Sequence, residues 1–414
     1  MGLRARGASS TNENYLISDR SVGFIPLTLT ILATQIGGGL IMGLSDSAYK
    51  YGYYSLLYPL GAIIGLIILG GYVGRNARGK ELTTMVEIFE VYYKSPFLRK
   101  AASLLSIVSL SAILVSQGIA SRKLLVTLGF SEIGIFYAFW LVIIFYTCMG
   151  GLKAVIDTDM FQCLFILVTL FFLGGYSIFN GQYSSRRIRC FFMTLFFMLI
   201  EQDMGQRCLA AKNIDVVKKA SYTSAAILSV VILIPFLIGY SSGIQVDFAK
   251  SGSESVFVSF VTNNMSQTVS TIINASIFMA IISTADSVLC SITSNVSFDL
   301  DIMRGVNNNQ KAFISQMITL LVGILMIVMS TQYDNIVDML MFAYSYPVYY
   351  LTVPVLMALL FNKSNIYAVY ASMLGTTIAL VVVNLFAINF LSHVIVLSAS
   401  FYNFWIVDRF QGQA

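Results

Sequence analysis

Apolar runs of about membrane-crossing length recur along the whole chain, separated by short polar connections. A helix that crosses the hydrocarbon core needs about 20 predominantly apolar residues. Twelve stretches fit: 22–44, 53–73, 101–120, 130–149, 160–180, 190–205, 221–243, 268–294, 313–331, 335–361, 366–386 and 387–406. The sixth is the shortest, because only 190–200 is cleanly apolar. Between the second and third lies "KELTTMVEIFEVYYKS" (80–95), where charged and apolar residues alternate at helical spacing. It is too charged to span, and its pattern predicts an amphipathic helix on the membrane surface.

Composition agrees with this pattern. The 414 residues are 57% hydrophobic and only 11% charged, whereas soluble domains are about a quarter charged. The reading is one all-α polytopic membrane domain over 1–414, without a linker that would set off a soluble domain. Basic residues favour cytoplasmic loops. With twelve crossings and the N-terminus inside, 18 of the 25 Lys and Arg fall on the cytoplasmic side; without the sixth crossing only 11 do. Both termini are therefore expected in the cytoplasm, with the run "SSRRIR" (184–189) an outside cluster against the trend. The polar beginning, "MGLRARGASSTNENYLISDR", has no apolar core like that of a signal peptide. The net charge of +5 calls for no nucleic acid. The five cysteines show no CxxC pairing, so neither disulfides nor a metal cluster is expected.

Polar residues inside the apolar runs carry the candidate chemistry. The first run contains "TILATQIGGGLIM", with Gln35 followed by Gly37, Gly38 and Gly39. Glycine costs about 1 kcal/mol against alanine in a helix. Three in a row either permit close helix packing or mark a broken helix whose free carbonyls line a wet site. In the second run, Gly61 and Gly65 form a plain GxxxG read as packing. The eighth run holds "MAIISTADS", which places Ala280, Ser283 and Thr284 on one helix face, followed by Asp286 and Ser287. These hydroxyls either bond back to their own helix or offer neutral oxygens to a hard monovalent cation.

The fourth connection, "MGGLKAVIDTDMFQ", is read as a Gly150-Gly151 turn with Asp157 and Asp159 at the following helix N-terminus, where capping suffices for at least one. "IEQDMGQRCLAAK" puts Glu201, Gln202 and Asp203 directly after apolar sequence, either as a functional site or as a solvated helix end. His393 is the sole histidine and no Walker A pattern occurs, so no enzyme is expected.

These stretches resemble the sodium:solute symporter family in order and spacing, from about Asn14 through the tenth run. "NYLISDRSVG" resembles its approach to the first core helix. "GGLKAVIDTDMFQ" is similar to its GG-x-x-A-V-x-x-T-D-x-x-Q pattern, and "QDMGQRCLAAK" to its Q-x-x-x-Q-R-x-x-A-A-K pattern. The resemblance implies a LeuT-type core of two inverted five-helix repeats, 22–180 and 190–361, with peripheral helices over 366–406. It implies a sodium site of Ala33, Ile36 and Ala280 carbonyls with Ser283 and Thr284 hydroxyls, and links Asp159 to sodium passage. It places substrate beside Gly37–Gly39, with Gln35, Gln202, Ser287 and Tyr344 as candidates.

Gln35 stands where proline carriers have an aspartate, and Thr194, Phe197 and Met198 stand where sugar carriers have an asparagine and aromatics. The expected activity is sodium-coupled symport of a small organic solute across a bacterial inner membrane. The alternative is a transporter-like sensor or an inactive shortened paralogue. The implied partners are sodium, the solute and the bilayer, and no obligate protein partner is evident.

Overall fold

The computed structural model describes residues 18–177, 191–241, 255–303, 305–386 and 392–411. The basic run at 184–189, Cys190 and Lys250 lie outside them, as do Arg4, Arg6, Arg304 and the beginning of "NYLISDRSVG". The loop-charge expectation therefore rests partly on undescribed positions. The described residues form helices and no strand, apart from one isolated bridge between Val22 and Ala211.

In chain order, α1 is Phe24–Gln35, followed by a π-helical stretch Gly39–Gly43 and α2 Leu44–Tyr51. After a 3₁₀ segment come α3 Leu57–Ile68, a second π-helical stretch Leu69–Val73, and α4 Gly74–Gly79. The short α5, Ile88–Val91, precedes the long α6 Pro96–Thr127 and α7 Ile133–Ser177. The middle of the chain supplies α8 Phe191–Ile200, α9 Gln202–Ala210, α10 Ile214–Val231, α11 Leu233–Ser241 and α12 Val256–Asn264. The remainder is α13 Gln267–Asp299, α14 Asn308–Ser330, α15 Ile336–Phe361, α16 Ile366–Leu385 and α17 Ser392–Gln411.

Among the described residues, eight helical stretches are long and apolar enough to cross a membrane. Two of them, 39–79 and 133–174, are 41 and 42 residues long. At 1.5 Å per residue each would run about 60 Å if straight, roughly twice the hydrocarbon thickness. Both are interrupted. The first turns through the 3₁₀ segment Gly52–Leu56, with Gly52 at φ 58°. The second breaks at Gly151, whose φ of 60° and ψ of −170° suit only glycine. The helix resumes at once, so Asp159 lies about two turns inside it and is fully buried. It is not the helix cap that spacing suggested, whereas Asp157 is exposed.

The molecule is apolar outside and polar inside. Val142, Phe145, Val168, Leu374 and Leu385 are among the most exposed large hydrophobics. Ser283, Asp286, Ser287, Ser291, Thr293 and Asn295 on α13 are buried. That inversion matches a lipid surround, where irregular or polar groups survive only against protein or a cavity. α13 packs against α6 and α7, and α6 also against α15. α1 lies against α7, α10 and α13. α8 fits between α3 and α15, where Gly65 meets Met198 and the Leu195 carbonyl, the close approach that a GxxxG pair permits. α16 and α17 pair with each other and touch the rest through α15.

The segment over 80–95 departs from expectation. Only a 3₁₀ turn, Met85–Glu87, and the four-residue α5 form, and Met85, Val86, Ile88, Phe89 and Tyr93 are buried in protein instead of facing lipid. Hydrogen bonds explain this docking. Thr84 donates to Asp299 at 2.7 Å, the Met85 N–H donates to Gln202 Oε1 at 2.7 Å, and Tyr93 donates to the Pro354 carbonyl at 2.7 Å. Arg99 completes the cluster with Glu90 and Asp299, each at 2.7 Å.

Candidate functional site

The three glycines do break the first helix. α1 stops at Gln35, and Ile36 turns out of the helix with φ −89° and ψ 58°. The Leu40 and Ile41 N–H groups both close on the Gly37 carbonyl, at 3.1 and 3.0 Å. Gly38 donates its N–H to Gln117 Oε1 of α6 at 3.0 Å. Glycine is required here by close approach as much as by flexibility. A Cβ on Gly37 would collide with Thr284 Oγ1, and one on Gly38 would lie 2.7 Å from the Ala120 Cβ.

A second break was not foreseen. α8 ends at Ile200, Glu201 is extended at φ −62° and ψ 126°, and α9 begins at Gln202. The sequence did carry a signal, since acidic residues directly after an apolar run prefer a wet neighbour. The solvated-end alternative is excluded, because Glu201, Gln202 and Asp203 are all buried. Arg207, counted among cytoplasmic loop charges, is also fully buried.

The two breaks and α13 enclose a polar cluster. Thr284 Oγ1 donates to either the Thr34 carbonyl at 3.0 Å or the Ala280 carbonyl at 3.1 Å. Ala33 and Ile36, whose carbonyls were expected at a sodium site, are fully buried on either side of this contact. Ser283 donates to Asp159 Oδ1 at 2.5 Å, and Thr30 donates to Asp159 Oδ2 at 2.5 Å. Arg207 Nη2 lies 3.5 Å from Asp159 Oδ2, and Arg207 Nη1 is ion-paired with Asp203. The guanidinium also donates from Nε to Thr30 Oγ1 at 3.1 Å and from Nη2 to Ser287 Oγ. Thr34 Oγ1 lies 3.2 Å from Ser287 Oγ. Ser291 bridges Asp203 and Gln206 at 3.1 and 2.7 Å.

The Thr34 and Ala280 carbonyls and the Thr284 hydroxyl form an oxygen-only set, with the Ser283 hydroxyl and Asp159 beside it. Such donors fit a hard cation and not a soft metal. Among the described residues no group of three or more His, Cys, Asp and Glu could hold a metal ion. The four described cysteines are free and buried.

Next to this cluster is a small cavity of about 50 Å³. Its wall includes Gln35, Gly37, Gly39, Thr284 and Tyr344 of the expected residues. Gly38, Gln202 and Ser287 do not line it. Gly38 is turned to Gln117, Gln202 to Met85, and Ser287 to Thr34 and Arg207. Thr34, Tyr58, Gln117, Thr194, Phe197, Glu201 and Asp203 complete the wall's polar and aromatic part. Gln117 had gone unremarked, although a glutamine inside an apolar run is itself a pointer to a polar partner.

Two broken helices meet at a buried polar site, inside a bundle whose exterior is apolar as a lipid surround requires. The family profile described as "SSF: Sodium:solute symporter family" matches residues 15–187 and 183–375. The chain belongs to the sodium:solute symporter family. It is 24% identical to the sodium/pantothenate symporter of Haemophilus influenzae, over 91% of this chain and 86% of that protein. It is 27% identical to the sodium/glucose cotransporter of Vibrio parahaemolyticus, over 41% of this chain and 31% of that one. Among solved structures, a Na⁺-coupled sialic acid symporter in a substrate-bound outward-open state shares the fold, with a TM-score of 0.80 and 16% identity. That match covers 99% of this chain and 94% of the other. MhsT in complex with L-phenylalanine matches with a TM-score of 0.62 and 14% identity, covering 94% and 98%. These relatives and neighbours are transporters, not enzymes.

Proposed function

We propose that this protein moves a small organic solute together with sodium by alternating access. Sodium binds between the broken α1 and α13, held by Ala33, Ile36 and Ala280 carbonyls and by the Ser283 and Thr284 hydroxyls. Thr34 supplies the neighbouring carbonyl. The solute occupies the adjacent cavity, against Gln35, Gly37, Gly39 and Tyr344. The observation that carries this reading is the contact of Thr284 Oγ1 with the Thr34 and Ala280 carbonyls, which joins the break to α13 through oxygens alone.

A bound cation replaces hydroxyl hydrogen bonds that now tie Ser283 to Asp159 and Thr284 to α1. Sodium therefore stabilises one arrangement of the two helices over the other, which is what coupling requires. Asp159 lies directly behind Ser283 and offers the departing ion a carboxylate, the role proposed for it in sodium passage. A membrane potential of 100 mV adds about 2.3 kcal/mol per charge moved inward. The proposal includes twelve crossings, two inverted five-helix repeats and cytoplasmic termini in a bacterial inner membrane.

The test is thermal unfolding of the purified full chain in sodium against potassium. Wild type is expected to be stabilised by sodium, with the shift largely lost in Ser283→Ala and Thr284→Ala. An equal shift in all three proteins would overturn the site.

A further inference from the structure

The cavity's charge points to the solute's own charge. Among the described residues, the charged side chains on its wall are Glu201 and Asp203, both acids. Asp203 uses Oδ1 for Arg207 and Ser291, while its buried Oδ2 has no hydrogen-bond partner. Glu201 is 8% exposed. No hydrogen bond or ion pair engages its carboxylate among the described residues. Around the site, Asp159, Asp203 and Glu201 therefore face a single buried guanidinium, Arg207, which is already shared by two of them. Ionised, the three acids exceed that cation by two charges, and buried charge without a partner is strongly unfavourable. One sodium ion supplies one of the missing positive charges.

Another part of the same wall is aromatic. Phe197 and Tyr344 have ring centroids 4.3 Å apart, and Tyr58 stacks on Tyr344 at 6.3 Å with its hydroxyl 3.2 Å from that of Tyr344. Aromatic faces beside a carboxylate recognise ammonium groups, through cation–π attraction and direct charge. With sodium bound, an anionic solute would raise the uncompensated negative charges from one to two. A neutral polyol would leave the second charge unmet.

Resting on the symport reading above, we propose that the transported solute is an organic cation, with its ammonium head between Glu201 and the Phe197–Tyr344 wall. The break at Ile200–Glu201 is what puts Glu201 on the cavity wall. Gln202, one residue on, is bonded to Met85 outside it.

The test uses the full chain in lipid nanodiscs with choline, tetramethylammonium and ethanolamine as probes. Dimethylbutanol, the uncharged carbon isostere of choline, and the pantothenate anion serve as comparators. In sodium, at least one ammonium probe is expected to raise the unfolding temperature and to bind at least about tenfold more tightly than either comparator. Glu201→Gln is expected to weaken that probe about ten- to a hundredfold while keeping the sodium shift. Should Glu201→Gln not fold, Phe197→Leu and Tyr344→Leu must each weaken the ammonium probe and leave the sodium shift in place. A sodium shift with no response to any ammonium probe, a preference for pantothenate or dimethylbutanol, or unchanged ammonium affinity in the variants overturns the inference alone. Loss of the sodium shift in wild type overturns the symport reading instead.

Discussion

Arg207 offers the sharpest test of the buried cluster. Replacing it with leucine removes the positive charge from between Asp203 and Asp159 and leaves the Thr30 and Ser287 oxygens without their donor. Breaking a buried ion pair from one side costs about 3–5 kcal/mol, because the partner charge stays buried. Here two carboxylates remain, so Arg207→Leu should fall at the upper end, about 5 kcal/mol. Arg207→Lys keeps the charge but loses the planar fork that reaches both acids, and should cost less, about 2 kcal/mol. Adding Asp203→Asn to Arg207→Leu should recover part of the loss, with a coupling energy of at least about 1.5 kcal/mol. Equilibrium unfolding of wild type, Arg207→Leu, Asp203→Asn and the double variant in bicelles closes the cycle, with Arg207→Lys measured beside them. If Arg207→Leu lies within about 0.5 kcal/mol of wild type, the guanidinium does not hold the two acids together, and the arrangement described for the site is wrong.

Three further outcomes follow from the same geometry. Gly37→Ala lies in the break, outside a helix, and should gain at most about 1 kcal/mol by stiffening the unfolded chain. It should nonetheless be net destabilising through about 1–3 kcal/mol of overpacking, because the new methyl meets Thr284 Oγ1; its sodium-dependent thermal shift should also shrink. Gln117→Leu strands the Gly38 N–H in the core, costing about 1–3 kcal/mol; a chemical-denaturation midpoint equal to wild type would contradict that bond. Gly151→Ala forces a side chain into a backbone conformation that suits glycine alone; it should cost about 1–3 kcal/mol, read as a lower unfolding temperature at unchanged sodium response.

Other groups lie away from this cluster. The Arg99, Asp299 and Thr84 contacts fasten the 80–95 segment to α6 and α13. His393, the sole histidine, meets the Tyr349 hydroxyl at 2.5 Å on the peripheral side of α15. Neither approaches the cavity wall.

Wherever one residue type has one physical consequence, the local reading and the fold coincide. Repeated apolar runs specify membrane helices because lipid offers backbone groups no partner. Gly37–Gly39 specify a break because three residues without a Cβ remove both the helix preference and the barrier to close approach. Ser283 and Thr284 specify a shared oxygen-bearing region because they are neighbours on one helix.

Tertiary structure decided everything that depends on what stands opposite. Arg207 looked like a loop charge because, along the chain, a charge is read against water; Thr30 of α1, Asp159 of α7 and Ser287 of α13, all distant in sequence, join Asp203 of its own helix as its partners instead. Asp159 looked like a cap because the helix start could not be seen to lie at Gly151. Glu201 and Gln202 are adjacent, yet one faces the cavity and the other Met85. A helix break has no period from which to predict direction, so side-chain aim there is set only by the packing of α3, α9 and α15 around it. Composition and pattern alone thus determined a membrane bundle with a weakened first helix. The charge of its site arose only when buried acids from α7 and α9 and the Glu201 break converged on a single arginine.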